Sequence, residues 1–287
     1  MRLDGRRESS NVDDRRSLSG GAKAGMGIGG LVIVALITWF MGGNPMSVLQ
    51  NADLGSMITT GDGTQREMTA EEEELAKFSR QILASTEDVW TKVFQQYGKT
   101  YQAPTMVLFT NAVRSGCGQA TASVGPFYCS ADQCLYIDLS FFSSMKQQLG
   151  ADGDFAYAYV IAHEVGHHVQ YLLGTLDSAH DQMSRVSETQ SNRISVRIEL
   201  QADYYAGVWG YNENRLFNSL EEGDLEEAIN CSLVIGDDYL QKKAQGYTVP
   251  ESFNHGTSDQ RRRWLTKGLT TGDMTKANTF ELSDSQL

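Results

Sequence analysis

Basic charge is the first thing this chain lacks. It carries 24 Lys and Arg against 36 Asp and Glu, a formal net charge of −12, with a pI near 4.9. Nucleic-acid binders usually present a basic surface, so that partner class is set aside. The acidity otherwise speaks to solubility. Internal repeats are absent, which removes repeat architectures. There are four cysteines and no C-x-x-C, which argues against a cysteine-rich structural zinc site. Only five histidines occur in 287 residues. There is a single long apolar run, and it lies far from the histidines, which disfavours an intramembrane protease.

That run covers residues 24–43. It holds no charge, and its centre, Leu31 to Met41, is strongly apolar. About twenty such residues span a bilayer as a helix. Arg6, Arg7, Arg15, Arg16 and Lys23 precede it. The positive-inside bias then assigns residues 1–23 to the cytoplasm and the bulk of the chain to the other side. No A-x-A-like site follows, so the run reads as an uncleaved anchor rather than a signal peptide. Gly21, Gly25 and Gly29, spaced four apart, could pack two such helices into a homodimer. Residues 44–75 read as a tether. Residues 76–270 read as one domain and residues 271–287 as a C-terminal tail. All four cysteines follow the anchor. In an oxidising compartment an even number suggests two disulfides, with three pairings open.

Two of the five histidines fall in His163-Glu164-Val165-Gly166-His167. The residues around this H-E-x-x-H segment are mostly apolar and read as a buried helix. Four residues apart on a helix means one face, one turn apart. Two imidazoles so placed can share one Zn²⁺, and Glu164 beside the first is positioned to take a proton from a water on the metal. This is the chemistry of a zinc peptidase. A catalytic zinc needs a third protein ligand. The extended motif H-E-x-x-H-x-x-G-x-x-H would require Gly and His where Gln170 and Leu173 stand, so it is excluded. His180 lies in a polar, loop-like stretch. The better third ligand is Glu199, on a second helical segment. Asp203 is four residues on and can accept the N–H of a ligand histidine. Asp203 as ligand, with Glu199 outside, is the remaining alternative.

Periodicity predicts helices over 71–96, 155–173, 184–211, 225–245 and 259–269, and strands over 106–109 and 135–139. The fold class is α+β, a mostly helical zincin-like domain with a small sheet, preceded by one N-terminal transmembrane helix. Leu135 to Leu139 precedes the histidine helix. It is either an edge that pairs with an extended substrate or an interior strand. The developing oxyanion needs a donor besides the metal. His255, just before a helix N-cap at Thr257 or Ser258, is the candidate, with Tyr204 and Tyr205 as rivals. His168 points elsewhere on the helix and reads as structural, as does His180.

Several stretches together resemble the family of bacterial putative neutral zinc metallopeptidases. They are Met1 to Arg16, Ser115 to Gly118, Gly125 to Cys129, His163 to Gln170, Glu199 to Trp209 and His255 to Arg261. The resemblance implies a bacterial, membrane-tethered protein with a zinc-peptidase-like domain; the positive-inside reading then puts that domain outside the cytoplasmic membrane, where its substrates would be peptides or proteins. It favours a Cys117–Cys129 disulfide, which leaves Cys134–Cys231, a pair less typical of the family. It implies no particular substrate. Two function classes remain, a zinc endopeptidase and a non-catalytic zinc-stabilised scaffold. A scaffold has no use for Glu164, which favours the enzyme.

Overall fold

The computed structural model describes residues 1–18, 67–110, 112–121 and 125–287. Helix α1 spans Ala70–Gln96. Thr69 and Glu72 form a reciprocal capping box at its start, and Glu71, Glu72 and Glu73 crowd its first turn, where acids complement the helix dipole. Its inner face buries Ile82, Leu83, Val89, Trp90, Val93 and Phe94.

A four-stranded sheet follows the order β1-β2-β6-β5. β1 is Val12–Asp14, β2 Thr105–Phe109, β5 Phe127–Cys129 and β6 Cys134–Asp138. β1, β2 and β6 run parallel, and β5 is antiparallel to β6. A separate hairpin pairs β3, Ala112–Ser115, with β4, Gly118–Thr121. The Leu135 to Leu139 segment is therefore an interior strand, because β2 and β5 hydrogen-bond both of its sides. The outer strand on that side is β5.

The remaining α-helices among the described residues are α2 (Ser140–Leu149), α3 (Asp154–Leu172), α4 (Thr175–Met183), α5 (Glu188–Phe217), α6 (Asp224–Val234), α7 (Asp237–Gln245) and α8 (Ser258–Thr271). The expected 225–245 helix is two helices. The chain breaks at Gly236, where a Cβ would lie 2.3 Å from the backbone nitrogen of Ser258. Helix α3 is apolar nearly all round and runs through the centre, in contact with α1, α5 and α6. At Gly166 of α3, a Cβ would lie 2.9 Å from the carbonyl oxygen of Ala202 on α5. That glycine lets the two helices meet closely enough for their side chains to share one site.

The domain extends beyond residues 76–270 at both ends. β1 puts the first residues into the sheet, and Arg6 pairs at 2.8 Å with Glu213, which is fully buried. At the other end Arg197 donates to the backbone carbonyls of Thr279 and Leu282, and Leu287 is buried. The apolar run 24–43, the glycine series from Gly21 to Gly29 and most of the expected tether lie outside the described residues. Among the described residues, no helix is long and apolar enough to cross a membrane.

Cys117 and Cys129 form a disulfide that ties the β3–β4 hairpin to β5. The expected Cys134–Cys231 bond is absent, and both thiols are free. Their elements keep them apart. Cys134 starts β6 beside the hairpin, in a small cluster with Val107 and Tyr136. Cys231 sits in α6 within the main core, its sulfur 3.7 Å from that of Met145.

Candidate metal centre and cleft

His163 and His167 project from α3 one turn apart, their ring centroids 4.8 Å from each other. Glu199 comes from the facing turn of α5. Its carboxylate lies 3.1 Å from His163 Nε2 and 3.5 Å from His167 Nε2. Donor atoms of all three residues fall within 4.8 Å of one another. Ligands at about 2.0–2.1 Å from a tetrahedral Zn²⁺ stand roughly 3.3 Å apart, so these two separations fit such an ion. Glu164, Glu199 and Asp203 bring three carboxylates to the site, with the guanidinium of Arg261 and the imidazole of His163 among them.

Both imidazoles are held through Nδ1, which leaves Nε2 for the metal. His163 Nδ1 donates to Asp203 Oδ1 at 2.8 Å. Asp203 is fully buried and also accepts from the Tyr159 hydroxyl at 2.6 Å and from Arg261 Nε at 2.9 Å and Nη2 at 3.0 Å. His167 Nδ1 donates to Gln170 Oε1 at 2.9 Å. Gln170 Nε2 in turn donates to the Ile198 carbonyl and to Gln201 Oε1, and Gln201 donates to the Ala277 carbonyl.

The electrostatics follow these contacts. Burial alone would lower the His163 pKa, but the charge and hydrogen bond of Asp203, with Glu199 behind them, lift it to about 10. Burial dominates at His167 and lowers it. Burial works against the Glu199 carboxylate, yet the nearby His167 and the hydrogen bond from His163 hold it well below its usual range. Glu164 is buried, and this desolvation pushes its pKa up to about 7.

The site opens into a cavity of about 560 Å³ lined mostly by apolar groups, Phe141, Met145, Leu149, Ile235 and Leu240 among them. Gly125, Pro126, Phe127 and Tyr128, at and just before β5, form part of its wall. His255 lines the cavity as well. Asp237, at the start of α7, accepts the backbone N–H groups of His255 and Gly256 at 2.8 and 2.9 Å, and its other oxygen lies 3.4 Å from His255 Nδ1. Tyr204 faces away and bonds Thr271 and the Asp273 carbonyl, while Tyr205 packs on Trp90. His180 is on α4 rather than in a loop and borders the cavity with Leu176 and Met183. His168 is structural, bonded to the Tyr128 hydroxyl and the Gln102 carbonyl.

The family model described as putative neutral zinc metallopeptidase matches residues 1–280. The chain belongs to this family. It is 47% identical over 289 residues to the uncharacterized protein YpfJ of Escherichia coli (strain K12), covering 98% of this chain and 99% of that one. It is 39% identical over 210 residues to the uncharacterized protein Rv2575 of Mycobacterium tuberculosis (strain ATCC 25618 / H37Rv), covering 70% and 69%. No solved structure matches the chain.

Four residues of this centre are not singled out by the sequence reading. Tyr159 had a signal, since it stands four before His163 and so one turn along the same helical face. Gln170, three after His167, had the same one. Arg261 had only its place in the HGTSDQR stretch, and Asp237 had none.

Proposed function

We propose that this chain is a zinc metallopeptidase in which His163, His167 and Glu199 hold the metal and Glu164 is the general base. The observation that carries this reading is the convergence of the three donors, each imidazole anchored through Nδ1, with a fourth residue, Glu164, buried beside them and lining an open cavity. Zinc, when bound, supplies the Lewis acidity that activates water and polarises a carbonyl. Glu164 receives the proton of the attacking water and passes it to the leaving amine. A pKa near neutrality suits both directions of that transfer. His255, held by Asp237, donates to the carbonyl oxygen as it gains charge. An extended peptide adds to the outer strand β5, whose residues reach the cavity wall. The apolar lining suits substrates with large apolar side chains beside the bond that is cut. The Cys117–Cys129 disulfide supports an oxidising compartment for the domain.

The test compares the full-length wild type with Glu164→Gln for zinc content and for cleavage of an unfolded protein such as casein. Equal zinc with cleavage by wild type alone supports the reading. Zinc in both with cleavage in neither favours a non-catalytic, zinc-stabilised scaffold. No zinc in either sinks the proposal.

A further inference from the structure

The chain leaves the described domain at Leu18 and returns at Glu67, with the apolar run 24–43 between. Residues close to the exit and the return meet. The Arg16 guanidinium, two residues before the exit, donates to the Glu72 carbonyl at 3.0 Å and to the Glu73 carboxylate at 3.1 Å.

The segment before the exit is built into the domain. Val12, Asp13 and Asp14 pair in register with Met106, Val107 and Leu108. Ser9 donates to the Glu87 carboxylate at 2.5 Å, and Leu3 and Val12 pack on the main core. The arginines that suggest a cytoplasmic location are bonded to acids of the fold. Arg6 pairs with Glu213, Arg7 with Glu87 and Asp88, Arg15 with Asp13, and Arg16 with Asp14 and Glu73. Their number therefore reflects intramolecular ion pairing as much as any orientation signal.

A single crossing would put the two flanks on opposite faces of an apolar layer about 30 Å thick. Strands β1 and β2 pair only at about 4.8 Å. A return crossing would need a second apolar stretch of about 20 residues. Residues 44–66 instead carry Asp53, Asp62 and Arg66 among Asn, Gly and Thr.

We propose that Met1–Leu18 and Glu67–Leu287 occupy the same side of any membrane that residues 24–43 enter, as two parts of one folded unit. This replaces the expectation of a single-pass anchor with a cytoplasmic N-terminus, and it does not depend on peptidase activity.

The experiment uses the full chain in bacterial spheroplasts, in a Cys134→Ser background that removes the one partly exposed thiol. Single cysteines are introduced at exposed positions, Ser10→Cys before the run and Lys99→Cys after it. Each is labelled with a membrane-impermeant maleimide before and after detergent permeabilisation. The expected result is an equal before-to-after ratio at the two sites, both labelled in intact spheroplasts or both protected. Labelling of one site with protection of the other overturns the proposal. A second pair, Asp4→Cys and Glu222→Cys, also exposed, must give the same answer, so a failure to fold in one variant does not decide the matter.

Discussion

His163 and His167 lie one turn apart on the same helix, yet opposite kinds of chemistry hold them. A buried carboxylate, Asp203, holds His163 and is itself clamped by a buried guanidinium and a phenol. A chain of neutral amides, Gln170 and Gln201, holds His167 and ends on backbone carbonyls. The charged arrangement raises the basicity of its imidazole, and the neutral one leaves desolvation in control. It also makes the His163 side dependent on partners distant in sequence, because a buried carboxylate is tolerable only when compensated. The His167 side is stabilised by ordinary hydrogen bonds and should fail more gently.

The sharpest way to break this contrast is Arg261→Met. It leaves Asp203 buried with its main positive partner gone, and should cost about 3–5 kcal/mol of stability, read from denaturant unfolding. A loss under about 1 kcal/mol would mean that Arg261 does not compensate Asp203. Gln170→Leu should cost less, about 1–3 kcal/mol, since it strands neutral groups only. Asp203→Asn keeps the shape and removes the charge. It should weaken zinc binding by about 10–100-fold in a chelator competition, while Gln170→Leu falls at the low end of that range. Gly166→Ala presses on the Ala202 carbonyl and so strains both sides at once. Overpacking there should cost about 1–3 kcal/mol, with zinc affinity at both histidines falling together. The smallest expected effect is in a double-mutant cycle of Asp203→Asn with Gln170→Leu on apo stability. The two networks meet only through the contacts of Glu199 with the two imidazoles, so coupling should stay under about 1 kcal/mol.

The same contrast explains how much of the centre the sequence makes readable. His163, Glu164 and His167 share a helical turn, and Glu199 and Asp203 share another, so spacing alone groups them. Most helices and both predicted strands also stand within a few residues of their expected bounds, because their apolar faces repeat at the helix or strand period. What joins the two turns is tertiary. Arg261 reaches Asp203 across 58 residues, and the Asp237 carboxylate accepts the His255 N–H across 18. Close approach, not periodicity, brings these together, as at Gly268 of α8, where a Cβ would lie 2.1 Å from the Tyr204 carbonyl. The interior position of β6 depends on strand order, and the free state of Cys134 and Cys231 on their lying in different clusters, neither of which short local patterns encode. The docking of Met1–Leu18 is of the same kind. Its arginines pair with acids up to 207 residues away, which no local pattern reveals.

In the proposed chemistry three side chains hold zinc and a fourth performs the proton transfer. The most direct measurement is zinc stoichiometry alongside casein hydrolysis for wild type, Glu164→Gln and Glu199→Ala. Full zinc and no hydrolysis are expected for Glu164→Gln, and loss of both for Glu199→Ala. Full zinc retention by Glu199→Ala, or undiminished hydrolysis by Glu164→Gln, would contradict this chemistry.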